Sequence, residues 1–122
     1  MNAPFVVTTE TLIGYDILRT VAFVSGSHVV PLSPFHNGVK SIATGKTYPM
    51  DRLLEIVTHA RFQAVTACLR EARYQGGNAV VAARFDERPL TPAWLEITCY
   101  GTAVVVRPSA EPIGSPGSLH TT

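Results

Sequence analysis

The chain has 122 residues, a length that fits one domain. A domain of that size buries roughly two thirds of the surface of its unfolded chain and needs no disulfides for a stable core. Its 10 basic and 9 acidic residues nearly balance, so the chain has no strong positive potential that would attract nucleic acid or an anionic membrane. We therefore expect neither as a partner. Charged residues make up only 16% of the chain, which predicts exposed apolar patches and hence contacts with other copies of the same chain.

Cysteine usage and the N-terminus bear on the compartment. The chain has two cysteines, Cys68 and Cys99, and no CxxC pair, which favours a reducing environment. The first residues lack the basic start and apolar run of a signal peptide. The longest segment without Lys, Arg, Asp or Glu, residues 20–39, is interrupted by glycine, proline and histidine, so we expect no transmembrane helix. The sequence therefore predicts a cytoplasmic protein.

Short strands are predicted in the first part of the chain. Residues 5–9 are β-branched and suit a first strand, and residues 15–24 carry apolar side chains on both faces, as in a strand covered on two sides. Gly26 predicts a bulge or bend before a short continuation over residues 28–32. A serine followed by a proline suits a helix start, so a short helix is predicted over residues 34–43.

A long helix is predicted from Pro49 to Gln75. Apolar residues recur there at spacings of three and four, namely Leu53, Ile56, Val57, Ala60, Ala64, Ala67, Cys68 and Ala72. The alanines in this stripe allow a close approach to a sheet. Apolar residues outside the stripe, such as Leu54, predict a second contact, with the short helix or with a neighbouring subunit. A glycine pair then ends the helix.

Two strands and a tail follow the long helix. Residues 79–85 are nearly continuous in apolar character, as in an interior strand, and residues 86–93 are predicted as a connecting loop. Residues 94–107 predict the last strand, with one apolar and one amphipathic face. The composition then changes to Pro, Gly, Ser and Thr, so residues 108–122 are predicted as a disordered tail. Residues 1–107 are predicted to form a single α+β domain.

Two glycine-containing segments around the long helix resemble the YbjQ-like family of small bacterial proteins. They are Gly77-Asn78-Ala79-Val80-Val81 and Gly101-Thr102-Ala103-Val104, preceded by Thr8-Thr9 with Gly14 and Gly26. The resemblance covers residues 6–107. It implies a two-layer, dodecin-like subunit, in which a mainly antiparallel sheet packs on one long helix and a short helix, and which assembles into a ring, usually a pentamer. The family is often described as "putative heavy-metal-binding" without an established reaction, so a transition metal is the cofactor class that the resemblance suggests.

Candidate metal ligands are few in this sequence. A metal site needs several converging His, Cys or carboxylate side chains, and the chain has no CxxC, HxH or HExxH pattern. His28 and His36 flank a proline-containing turn and are the candidate ligands if the protein binds a metal. Surface or hydrogen-bonded histidines are the plainer interpretation. Cys68 and Cys99 are predicted to be small core residues rather than ligands.

A polar set on the last two strands is the candidate ligand site. It contains acid, base and hydroxyl groups, from Arg84, Asp86, Glu96 and Tyr100, which can line a pocket. Any amphipathic sheet gives a similar alternation, and no GxSxG motif is present, so no catalytic residue is assigned. The leading hypothesis is a non-enzymatic homo-oligomeric ring with a binding or scaffold role. The alternatives are a heavy-metal-binding protein and a small-molecule enzyme with an intersubunit site.

Overall fold

A computed structural model describes residues 5–32 and 48–110 of the chain. The elements in this part are β1 (Tyr15–Pro31), α1 (Met50–Tyr74), β2 (Ala79–Thr91) and β3 (Trp94–Pro108). The strands form a three-stranded antiparallel sheet in the order β1-β3-β2. The predicted α+β class, with a mainly antiparallel sheet and one long helix, is confirmed. The predicted short helix over residues 34–43 lies outside the described residues.

The described part of the chain divides into two compact units. The first unit comprises residues 5–24, 69–84 and 100–110, and the second comprises residues 25–32, 48–68 and 85–99. The single domain expected over residues 1–107 stays a prediction. Within the described residues, no helix has the length and apolar character needed to cross a membrane.

The core of the first unit lies between β2, β3 and the N-terminal segment. Its buried members are Leu12, Ala79, Val81, Val104 and Val106, and Phe5, Val7 and Tyr15 pack against them. Each Val or Leu side chain buried in such a cluster contributes about 1.5–3 kcal/mol. The segment that supplies Phe5 and Val7 was predicted as a strand. It forms an isolated parallel bridge between Val6 and Val80, and the N–H groups of Ala82 and Ala83 also donate to its carbonyl oxygens, but no regular strand results. The N-terminal segment is thus a cover for the core and not a regular strand.

The long helix follows its sequence pattern closely. Ala60, Ala64, Cys68 and Ala72 are fully buried, which confirms the predicted stripe. Asp51 in the first turn and Arg73 in the last turn complement the helix dipole. Gly76 has a φ of 101°, the left-handed conformation that commonly ends a helix, so the predicted C-terminal glycine cap is also confirmed.

Gly26 sits within β1, which is one continuous strand. We predicted a bulge or bend there, but β1 runs unbroken from Tyr15 to Pro31. Gly26 is buried, and a Cβ atom added to it would overlap the backbone of Ala67 and Cys68 in α1. The residue therefore allows the helix and the strand of the second unit to pack backbone against backbone.

The last two strands are longer than the sequence suggested. The prediction of a loop over residues 86–93 was wrong, because β2 continues to Thr91 and only Pro92 and Ala93 form the turn to β3. Pro89 is compatible with a strand because β2 is an edge strand, where a missing N–H is tolerated.

The end of β3 lies one residue inside the predicted tail. β3 ends at Pro108, and the N–H of Ser109 then donates to the carbonyl oxygen of Gly14 at 2.9 Å. Residues 111–122, the remainder of the predicted tail, lie outside the described residues.

Candidate functional site

Arg84 and Tyr100, two of the four predicted ligand residues, belong to the first unit. Nη1 of Arg84 donates to the carbonyl oxygens of Thr8 at 3.0 Å and Ala83 at 2.9 Å. The ring of Tyr100 lies 6.3 Å from that of Phe23, at an interplanar angle of 45°. Arg84 therefore fastens the N-terminal segment to β2, and Tyr100 takes part in an aromatic contact.

Asp86 and Glu96, the other two predicted ligand residues, belong to the second unit. Glu96 accepts a hydrogen bond from Nη2 of Arg88 at 2.8 Å, in an ion pair whose arginine is largely exposed. Asp86 is exposed. In the described residues, no hydrogen bond or ion pair joins the two predicted residues of either unit. Their role in binding a ligand stays a prediction.

The histidines give no metal cluster in the part of the chain that the structure describes. His28 is half-buried in β1, and His36 lies outside the described residues, so the predicted pair cannot be placed together. His59 is exposed, and its Nε2 lies 3.0 Å from Nε2 of Gln63. Within residues 5–32 and 48–110, no three His, Cys, Asp or Glu side chains converge in a way that would hold a metal ion.

Cys68 and Cys99 form a thiol pair in the second unit. Both side chains are fully buried, neither cysteine is in a disulfide, and the two side chains are hydrogen-bonded to each other. The hydrogen bond with Cys68 lowers the pKa of the Cys99 thiol, and this effect outweighs burial, which acts in the opposite direction. The prediction that both are core residues is confirmed. Their mutual contact was not predicted.

The fold explains why the two sulfurs meet. Cys68 lies on the alanine-rich buried face of α1, and Cys99 is one of the alternating buried residues of β3, together with Ile97. Small side chains on the helix, such as Ala60 and Ala64, and the missing side chain at Gly26 allow a close approach of the two layers. The available sequence signal was that Cys68 lies on the apolar stripe of the helix and Cys99 on the strand face expected to be covered by a helix.

A ridge of exposed and mainly apolar side chains runs along α1 in the second unit. We define the helix ridge as Met50, Leu54, Thr58 and Phe62, which are spaced by four and therefore follow one line on a helix surface. Leu54 and Phe62 are 62% and 67% exposed, and Met50 is also exposed. Part of the ridge borders an open groove of about 480 Å³, lined by Leu54, Glu55, Thr58, His59 and Phe62.

The first unit has an exposed apolar surface of its own. We define the β1 patch as Ile17 and Phe23, which share a face of β1, together with Tyr100, whose ring contacts that of Phe23. Phe23 is 73% exposed. Each unit thus presents a large aromatic side chain to solvent, Phe23 in the first and Phe62 in the second.

The fold has a counterpart among solved structures. A crystal structure of a protein of unknown function from Pediococcus pentosaceus, of the DUF74 family, matches with a TM-score of 0.51 and 16% sequence identity. The match covers 84% of this chain and 97% of that one. At this level of identity the likeness concerns the fold alone, and it shows that the two proteins share a small α+β fold.

Sequence comparison places the chain in a family. The profile of the YbjQ-like family, described as "putative heavy-metal-binding", matches residues 5–107, so the chain belongs to that family, as the resemblance implied. A UPF0145 protein of Acidothermus cellulolyticus is 36% identical, over 83% of this chain and 94% of its own. UPF0145 proteins of Saccharolobus islandicus and Methanothermobacter thermautotrophicus are 34% and 35% identical, over 83% and 84% of this chain and 89% of their own. These two organisms are archaea, so the family is not confined to bacteria.

Proposed function

We propose that the protein is the subunit of a homo-oligomeric ring of five copies, with a binding or scaffold role in the cytoplasm. The observation that carries the proposal is the helix ridge, where Leu54 and Phe62 are each more than 60% exposed. Apolar surface of this kind gains about 25 cal/mol for each Å² removed from water. The low charge of the chain, 16% of its residues, supports the same conclusion, because a chain with few charged residues leaves more apolar surface to be covered by other copies.

Two different apolar surfaces favour a ring over a dimer. A two-fold dimer joins a surface to its own copy, whereas a ring joins one surface of each subunit to a different surface of the next. The helix ridge and the β1 patch belong to different units and differ in structure, one on a helix and the other on a strand. We therefore propose that the helix ridge of one subunit binds the β1 patch of the next.

The variants Phe62→Glu and Phe23→Glu test this arrangement. We expect the wild-type chain to have an oligomeric mass in light scattering at micromolar concentration, and each variant to have the mass of one chain, because a buried unpaired charge opposes the contact. An equimolar mixture of the two variants should give dimers, since one intact helix ridge and one intact β1 patch remain. Gln63→Glu, at an exposed position of α1 about 100° around the helix from Phe62, introduces the same charge outside the ridge and should leave the oligomer intact.

Other outcomes would contradict the proposal in distinguishable ways. A wild-type chain that is monomeric would exclude the oligomer. Variants that are each dimeric by themselves, with no change on mixing, would show two separate two-fold interfaces and no ring. An oligomer unaffected by either variant would show that these two surfaces are not the contacts.

Heavy-metal binding is the second candidate function, and the thiol pair is the observation that favours it. Thiolates are the preferred protein ligands of soft metal ions, and two lie in contact here. The described residues do not fit a four-coordinate zinc site, because no third ligand joins them. Elemental analysis of protein purified without a histidine tag, with melting measured after metal addition, tests the candidate. Metal-free protein whose melting does not respond to any added metal would exclude it.

A further inference from the structure

We propose that Cys68 and Cys99 form a two-coordinate site for a monovalent, thiolate-preferring cation of the Cu(I) type. The proposal deepens the second candidate function and rests on it, because it names the ligands and the class of ion. Three observations carry it: both sulfurs are fully buried, they contact each other, and they come from different elements, α1 and β3.

The number of ligands selects the class of ion. Zinc sites in proteins take three or four side chains, and calcium and magnesium take six or more oxygen atoms. Within residues 5–32 and 48–110, no group of three His, Cys, Asp or Glu side chains converges anywhere, so the thiol pair has no third protein ligand there. Soft thiolates select Cu(I), which is stable with two sulfur ligands.

The proton and charge balance of binding is simple. Each thiol loses its proton to the buffer, two sulfur–copper bonds form, and copper remains Cu(I), so no oxidant or reductant is needed. Two thiolates and one monovalent cation leave one negative charge in a buried place, which is the main cost of the site. Because protons are released, the affinity should rise with pH.

The burial of both sulfurs makes entry of the ion depend on local opening. Helix α1 lies against β1 through the backbone contact at Gly26, so the sulfurs become accessible only when this packing loosens. We therefore expect Cu(I) uptake to be slower than that of an exposed thiol pair. Once bound, the ion links α1 to β3 and should raise the melting temperature, since a ligand that binds only the folded state stabilises it.

The direct test is Cu(I) titration of the reduced full chain without oxygen, against a chromophoric Cu(I) chelator. We expect the wild-type chain to bind one Cu(I) per chain, with an ultraviolet thiolate-to-copper charge-transfer band. Cys68→Ser and Cys99→Ser should each lose both the band and the stoichiometric binding. His59→Gln and His28→Gln, which alter histidines outside the pair, should bind as the wild type does. Zn(II) offered in the same way should not compete.

A measurement on the wild-type protein guards against variants that fail to fold. The chain has two cysteines, so X-ray absorption at the copper edge should show a first shell of two sulfur atoms. The proposed thiol site would be wrong if the first shell were dominated by nitrogen or oxygen, or if the cysteine variants still bound Cu(I). Heavy-metal binding as a candidate function would remain in either case. Absence of binding by every metal tested, Zn(II) included, would remove the candidate function itself.

Discussion

Replacement of Gly26 by alanine should lower the free energy of unfolding by about 3 kcal/mol, the upper part of the range for overpacking a dense core. The added Cβ would overlap the backbone of Ala67 and Cys68, and backbone atoms in the middle of a helix cannot move aside alone. Relief requires α1 to move away from β1, which opens gaps around the small buried side chains of the helix. The change of one methyl group therefore acts on the whole helix–strand contact of the second unit.

Urea unfolding followed by circular dichroism measures the effect, and two variants serve as controls. Ser25→Ala changes an exposed neighbour in the same strand and should stay within about 0.5 kcal/mol of the wild type. Gly14→Ala introduces a methyl group into open space, but at a φ of 85°, and should lose about 1 kcal/mol through backbone strain alone. A Gly26→Ala variant no less stable than Gly14→Ala would contradict the close packing of β1 against α1 at Gly26.

The long helix was predictable because its signals are local. Apolar spacing of three and four identified α1 to within a residue at each end, and the glycine pair identified its cap. The second half of β2 was missed because the charged residues before Pro89 are typical of a loop. Such residues are equally acceptable on an edge strand, and only the sheet order identifies β2 as one.

The candidate sites were harder to predict because their contacts depend on tertiary structure. The polar alternation that suggested a pocket at Glu96 is explained by an ion pair with Arg88, which forms only once β2 extends past its predicted end. The contact of Cys68 with Cys99 requires knowing which strand lies beneath the buried face of α1. Each cysteine was placed correctly, but periodicity cannot say which buried residues touch.

The segments that carry the family resemblance have structural roles in the first unit. A Cβ added to Gly77 would lie 3.0 Å from the carbonyl oxygen of Val104, and one added to Gly101 would lie 2.8 Å from Cγ1 of Val80. Both glycines therefore allow close backbone or side-chain approach. The segments that carry the resemblance therefore serve the packing of the fold. Candidate ligand-binding residues are to be sought outside these segments, as at the thiol pair.

Asn78, between these glycines, should be the most sensitive polar residue of the first unit. Its Nδ2 donates to the carbonyl oxygen of Val106 at 2.9 Å, and the N–H of Val106 donates to its Oδ1 at 2.8 Å. The side chain thus pairs with β3 as a strand residue would. Asn78→Ala leaves both groups of Val106 without these partners, and we expect a loss of about 3 kcal/mol in the free energy of unfolding. Gln75→Ala, which removes only an exposed hydrogen bond to Glu71, is the matched control and should lose little.

Asn78→Asp separates the two hydrogen bonds by their dependence on pH. The charged carboxylate can still accept from the N–H of Val106, but its second oxygen faces the carbonyl oxygen of Val106, where two acceptors repel. The protonated carboxyl can donate there and so restores both bonds. The pKa of this carboxyl should therefore be raised in the folded state, and the loss relative to wild type should be largest above that pKa and shrink as the pH falls through it. Unfolding of both proteins at neutral pH and at about pH 4, near the ordinary pKa of an aspartate, measures the difference. A difference that does not change with pH would mean that the side chain at position 78 does not donate to β3.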